Sequence, residues 1–314
     1  MAGFLKDTPP HLVRSLVWSS QLKDILEDEL QATMWVNWMT EFPDGDTFNI
    51  PSIGQFQADD YRENESIRYR ALDTGNFTFS ITEYLSSATF ITKQAMQDQF
   101  YMSQLTSQFV PKQARAIMVR VEEDILGLSA NQTASNLNTI NGGDHRFVGS
   151  GTNEVIAPTD FARALHALKQ ANASDSKLIA IVDPSVEFEL NTQTNLVNVS
   201  NNPRWEGIIA DGIGKGMKFV KNVYGFDVFT SQRLADANET IDGLTTAAGK
   251  ANLFFTAEAD EMPFIGAWRQ MPQVDSEFNK DKQREEHVTT ARYGVDLFRE
   301  ETLVVCLTDT DQVG

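Results

Sequence analysis

The chain has 314 residues, enough for one large domain or two modest ones. Hydrophobic residues make up 41% and aromatics 10%, which supplies a core and excludes an intrinsically disordered chain. The net charge of −18, from 44 acidic against 26 basic residues, repels phosphates and anionic lipid. It excludes a nucleic-acid reader that works by exchanging cations for counterions, and solubility alone accounts for it.

In chain order, residues 11–40 read as a helix, with Leu12, Leu16, Leu22, Leu26 and Leu30 in helical steps and an aromatic end at Met34, Trp35, Trp38 and Met39. Glu41-Phe42-Pro43-Asp44-Gly45 breaks it. Period-two alternation then marks half-buried strands at Thr47–Ile50, Ile67–Ala71 and Phe77–Thr82. Between the first two lies a polar tract, Gln55 to Ser66, with Asp59, Asp60, Arg62, Glu63 and Glu65. Two strands around such a connection predict a long hairpin. An isolated hairpin is marginal in water, so it must lean on a sheet edge of its own chain or on another subunit.

Residues 93–129 return to helical period, with Ala114, Ile117, Met118, Val121, Ile125 and Leu128 on one face. Arg115, Arg120, Glu122 and Glu123 are expected on the other, and Pro111 favours a restart of the helix there. Ser129 to Thr152, rich in Asn, Ser, Thr and Gly, reads as a linker. A helix follows over 158–173, capped by Thr159 or Asp160, with Phe161, Leu165 and Leu168 inward. Leu178–Val182 is a buried strand stopped by Asp183-Pro184. Further strands are expected at Phe219-Val220, Phe226–Phe229, Leu253–Phe255, Pro263–Trp268, Val288–Tyr293 and Leu303–Leu307. Helices and strands mix without βαβ alternation, which gives an α+β class.

The chemistry-bearing motifs fail one by one. Gly212-Ile213-Gly214-Lys215-Gly216 has Met217 where a dinucleotide fingerprint needs glycine, and the Gly243–Ala251 stretch lacks the hydroxyl and the spacing of a phosphate loop. The histidines at 11, 145, 166 and 287 have no metal-ligand spacing. His166 reads as a structural helix residue, His287 as part of a solvated charge run, and His145, beside Asp144, is the least explained. The single cysteine, Cys306, lies in an apolar run and reads as an inert core thiol; no internal disulfide can form. No catalytic residue, cofactor site or metal site is expected. The N-terminus has no secretory h-region, and no window approaches the roughly 18 apolar residues of a membrane helix, so a cytoplasmic product is expected.

The order of elements resembles the major capsid proteins of tailed bacteriophages of the Hong Kong 97 type. The resemblance rests on the arm around Trp18-Ser19, Phe48-Asn49-Ile50-Pro51, Tyr61-Arg62-Glu63-Asn64, Phe79-Ser80-Ile81-Thr82 and a long helix closing on Asp124-Ile125-Leu126. Downstream it rests on Val182-Asp183-Pro184, Gly225-Phe226-Asp227-Val228 with Ser231, Tyr293-Gly294-Val295 and Leu303-Val304-Val305. The pieces are degenerate; their succession across nearly the whole chain carries the likeness.

The resemblance implies the Hong Kong 97-like α+β fold with an N-terminal arm at 1–42, an E-loop at 43–82, a peripheral domain with a spine helix at 83–150 and 251–314, and an axial domain at 151–250. It implies a homo-oligomer, a structural protein of the virion rather than an enzyme, that assembles in the host cytoplasm as pentamers and hexamers of an icosahedral shell around double-stranded DNA. Partners implied are a scaffold protein, a portal and decoration or cement proteins, with no sequence-specific nucleic-acid binding and no membrane. The charges Asp59, Asp60, Arg62, Glu63, Glu65, Arg68 and Arg70 would then meet a neighbouring subunit in ion pairs. Family members that weld their shells use an E-loop lysine, and none occurs from Asp24 through Thr92, so a non-covalent shell is expected. The arm is too short for a fused scaffolding domain, so the scaffold is expected as a separate protein. An encapsulin-type compartment sharing this fold is the nearest alternative, and an α+β hydrolase is a remote one.

Overall fold

The computed structural model describes residues 30, 32–39, 47–53, 58–64, 66, 74–98, 102–133, 139–192 and 219–310. The predicted N-terminal helix up to residue 29, the Ile67–Ala71 strand and the Gly212–Gly216 loop lie outside them.

Two sheets organise the molecule. The central sheet has six strands in the spatial order Arg146–Val148, Leu303–Asp309, Gly249–Thr256, Leu178–Val182, Phe226–Thr230 and Phe219–Val223. Every residue of Leu178–Val182 and Leu303–Asp309 is buried. Leu178–Val182 and residues 303–307 read as unbroken apolar runs because both faces of the sheet are covered. Leu178, Ala180, Val182, Phe254, Val304 and Cys306 pack with Phe161, Ala164, Ala167 and Leu168 of the helix Pro158–Gln170. The residues between them, Ile179, Ile181, Leu253, Phe255, Val305 and Leu307, join a second cluster with Val121, Ile125 and Leu126 of the long helix Met102–Gly127. Phe254 meets Phe161 at 5.1 Å and Phe226 at 5.4 Å, both edge to face. Burying one such ring is worth about 1.5–3 kcal/mol.

The second sheet is a ribbon. Phe264–Asn279 and Arg284–Leu297 form a long antiparallel hairpin, Glu83–Thr92 pairs antiparallel on its Arg284–Leu297 side, and Val36–Met39 pairs parallel with Phe264–Ala267. The long helix crosses one face. There the Gln113 side chain donates to the His287 carbonyl at 3.4 Å and accepts from the Thr289 hydroxyl at 3.1 Å.

Several expectations change. Trp35 and Trp38 do not end a helix: Ala32–Trp35 is a 3-10 turn and Val36–Met39 a strand. Trp38 stacks on Trp268 at 5.1 Å, and that tertiary pairing overrides the local helical pattern. The long helix runs through Pro111 without restarting. Proline removes one internal bond there, whereas a buried face at Ile117, Val121 and Ile125 anchors the turns that follow. Glu122, expected on the solvent face, is buried.

The presumed linker from Ser129 to Thr152 contains Arg146–Val148, a buried strand pairing parallel with Val305–Leu307. The Asn, Ser, Thr and Gly around this short strand hid it, and its one charged residue, Arg146, is buried and paired, as described below. The helix Pro158–Gln170 begins from Ala157 with proline in its first turn, not from a Thr159 or Asp160 cap. The Asp160 carboxylate instead accepts from the backbone N–H groups of Ala157 at 2.8 Å and Ser150 at 3.0 Å. The strands predicted at Leu178–Val182, Phe226–Phe229, Leu253–Phe255 and Leu303–Leu307 are present, most of them longer than expected.

Candidate assembly surface

The predicted hairpin exists, with a different second strand. Thr47–Ile53 pairs antiparallel with Thr74–Ser80 in unbroken register, Thr47 opposite Ser80 and Ile53 opposite Thr74. Pro51 is tolerated because, among the described residues, each of these two strands is paired on one side alone. The root of the hairpin leans on its own chain. Phe79 and Ile81 are buried against Ile265 and Ala267 of the ribbon, flanked by Phe48, Ile50, Phe77 and Phe298. Phe77 meets Phe298 edge to face at 5.1 Å. The approach is close enough to require glycine at 294, where a Cβ would stand 2.6 Å from the Ser80 carbonyl oxygen and 2.9 Å from the Ile81 Cα.

Of the charges proposed for this loop, Asp59, Asp60, Arg62 and Glu63 are described and exposed, beside Tyr61, which is also exposed. Glu65, Arg68 and Arg70 lie outside the described residues. The described stretch turns at Glu63-Asn64, with Asn64 in the left-handed region at φ 70°.

The ribbon has one covered face and one open face. On Glu83–Thr92, Leu85, Ser87, Thr89 and Ile91 are at least half-buried, while Tyr84, Ser86, Ala88, Phe90 and Thr92 are exposed. The alternation follows from the side-chain period of two. Tyr84 and Phe90 remain 63% and 55% exposed, and the guanidinium of Arg284 lies 4.4 Å over the Phe90 ring. The sequence reading missed this strand because Ser86, Ser87 and Thr89 dilute its apolar signal. The repeat Tyr84, Ser86, Ala88, Phe90 against Leu85 and Ile91 was the cue.

Two polar ties hold the long helix and the sheets. Asp124, the late aspartate of that helix, accepts from the Tyr293 hydroxyl at 2.5 Å and pairs with Arg120 at 3.0 Å. Burial, and then the Asp124 carboxylate, push the Tyr293 phenol far above its ordinary range. Arg146, 1% exposed, is held by a bidentate pair with Glu239 and by a 2.9 Å bond from its Nη1 to the Ser129 carbonyl. The fork geometry of guanidinium suits all three bonds at once.

The described histidines and the cysteine singled out in the sequence each lie on a different element or loop of the fold. His145 is buried, its Nδ1 2.9 Å from the Gly143 carbonyl oxygen and its Nε2 3.1 Å from that of Glu301. His287 is buried rather than solvated, with Nδ1 2.8 Å from the Ser276 hydroxyl. His166, read as a structural helix residue, is exposed on its helix, its Nε2 3.4 Å from the Gln170 side-chain nitrogen. Cys306 is buried, and burial raises its thiol well above the usual range, as expected of an inert core cysteine. Among the described residues no group of acidic, histidine and cysteine side chains could hold a metal ion. No helix among them is long and apolar enough to cross a membrane.

Known proteins resemble this chain in sequence family and in fold. A family model described as phage capsid protein matches residues 76–305. The chain belongs to the phage capsid protein family. Among solved structures, this capsid protein is similar to a chain of Mycobacterium phage Che8, with a TM-score of 0.68 at 16% identity, over 94% of this chain and 97% of that one. It is similar to the capsid of Ralstonia phage GP4, with a TM-score of 0.69 at 9% identity over 99% and 98%. The capsid of cyanophage P-SCSP1u gives 0.69 at 14% identity over 92% and 91%. These likenesses establish the Hong Kong 97-like α+β capsid fold. No curated protein matches the sequence. Family and fold together make the chain a major capsid shell protein of a tailed phage, located in the virion shell, and they do not favour a compartment protein or a hydrolase.

Proposed function

We propose that this capsid protein tiles an icosahedral shell around double-stranded DNA as pentamers and hexamers, in a structural and not a catalytic role. The observation that carries the reading is the hairpin: anchored at Phe79 and Ile81 on its own ribbon, it exposes every described residue of its charged stretch, Asp59 to Asn64. A loop rooted apolarly and ending in charge is suited to reach a neighbour. Residues 43–82 would act as the E-loop after an arm at 1–42. Residues 83–150 and 251–314 would form the peripheral part, and 151–250 the axial part, with the six-stranded sheet shared between the last two.

Asp59, Asp60, Arg62, Glu63, Glu65, Arg68 and Arg70 would meet a neighbouring subunit in ion pairs. Each exposed pair is worth about 0–1 kcal/mol, and a shell repeats it at every subunit. Assembly would proceed around a separate scaffold protein and a portal, with decoration or cement proteins as further partners. Replacing Arg68 and Arg70 together by Glu should leave a folded subunit by circular dichroism and block particles in electron micrographs. Particles at normal yield would refute the role of these charges. With no lysine from Asp24 through Thr92, mature particles should run as one monomer band on a denaturing gel. A cross-linked ladder would contradict that.

A further inference from the structure

The ribbon has two outer edges, and they differ in kind. Along Phe264–Asn279, pairing with Val36–Met39 stops at Ala267. Beyond it the edge carries two register shifts, between Trp268 and Gln270 and between Gln270 and Gln273, followed by Asp275 and Glu277. Bulges and charges are the devices by which a protein stops an edge from pairing with another chain.

Along Glu83–Thr92 those devices are missing. Its residues pair one by one with Tyr293 back to Arg284 without a shift. It has no proline, no glycine and no charge after Glu83, and its Tyr, Thr, Phe and Ile favour an extended chain. It is the last strand of its sheet, so among the described residues no strand lies on its outer side. In an antiparallel ladder every second residue of an edge strand turns its N–H and C=O outward, here over a row roughly 34 Å long. Above that row the open face carries Tyr84 and Phe90, with the small Ser86 and Ala88 between them. Val288 and Thr290 lie opposite Ala88 and Ser86 on the next strand.

We propose that in the assembled shell the Glu83–Thr92 edge is completed by a strand from a second copy of this chain, extending the sheet across the subunit boundary. The proposal rests on the reading of the chain as a shell subunit. A second copy fits for two reasons. A shell holds one at a fixed place beside every edge, so an edge left unblunted in the subunit pairs in one defined way instead of aggregating. Two chains of net charge −18 also repel least where the contact is uncharged, and Tyr84 to Thr92 is such a stretch.

The test is hydrogen exchange with peptide-level mass spectrometry on assembled particles and on subunits dissociated from them. In subunits, about half of the Glu83–Thr92 amides, those turned outward, should exchange fast, and in particles they should be protected. The Gln270–Asn279 edge should exchange alike in both. In a second arm, Ser86→Lys with Ala88→Lys, on the exposed face, should lower particle yield at least about tenfold, whereas Gln273→Lys on the blunted edge should leave it unchanged. Particles whose 83–92 amides exchange as fast as in subunits would overturn the edge pairing alone, as would normal yield from the double-lysine variant. A chain that forms no particles under any condition, with or without its scaffold, would sink the shell reading and this proposal with it.

Discussion

The central sheet and the ribbon are built by one chain but are stabilised in opposite ways. In the central sheet Leu178–Val182 and Leu303–Asp309 are covered on both faces, and Phe254 sits among Phe161 and Phe226 with no solvent contact. The ribbon is covered on one face by the long helix and keeps Tyr84, Phe90 and Met271 in solvent. A region that completes its own core holds the subunit together. A region left half-covered is where a shell subunit has apolar surface to spare for contacts.

The comparison is broken most forcefully from the buried side. Phe254→Ala should cost about 3–5 kcal/mol, since it empties the centre of an aromatic cluster. Denaturant unfolding should show it, and a loss under 1 kcal/mol would mean the sheet collapses onto the gap.

Arg146→Ala comes next. It removes three bonds and leaves Glu239 facing a cavity, but Glu239 is 38% exposed and can rehydrate, so about 2–3 kcal/mol is expected. The same unfolding assay checks it, and salt should affect the loss little because the guanidinium is buried.

Tyr293→Phe tests the tie between helix and ribbon and should cost about 1 kcal/mol at neutral pH. The phenol proton is held more tightly in the fold than in the unfolded chain. Its contribution is therefore complete below the ordinary value of 10.0 and is lost as pH rises above it. Thermal melts of the wild type should fall on that alkaline limb, and the Tyr293→Phe variant should fall less steeply. Parallel slopes would show that Tyr293 does not govern the limb.

The smallest effect on folding belongs to the hairpin. Asp59→Asn with Asp60→Asn, both exposed, should change subunit stability by less than about 0.5 kcal/mol. Particle yield should nevertheless fall if the loop works between subunits, so the same change divides folding from assembly. A loss of subunit stability equal to the loss of particles would erase the distinction between the two regions.

The difference in legibility has the same origin. Leu178-Ile179-Ala180-Ile181-Val182 and Leu303-Val304-Val305-Cys306-Leu307 were readable as strands because burial on both faces demands a continuous apolar run. The ribbon was readable only in part. Pro263–Trp268 and Val288–Tyr293 showed, but Met271–Asn279 and Glu83–Thr92 did not, since a strand with one wet face carries half the signal. The hairpin at Thr47–Ile53 was expected from its alternation, yet its partner, Thr74–Ser80, was fixed by register and by the docking of Phe79 on the ribbon.

By itself the sequence determined the α+β class, the charged hairpin, the long helix with its late Asp124, the inert Cys306 and the family likeness. Each of these follows from local pattern and from the order of elements along the chain. Only the tertiary structure decided that Val36–Met39 is a strand, that Arg146 and His287 are buried, that the helix passes Pro111, and which ribbon edge has no strand beside it among the described residues. Those outcomes depend on residues far apart in sequence, such as Trp38 on Trp268, Arg146 on Glu239 and Gln113 on Thr289, whose pairing no local pattern encodes.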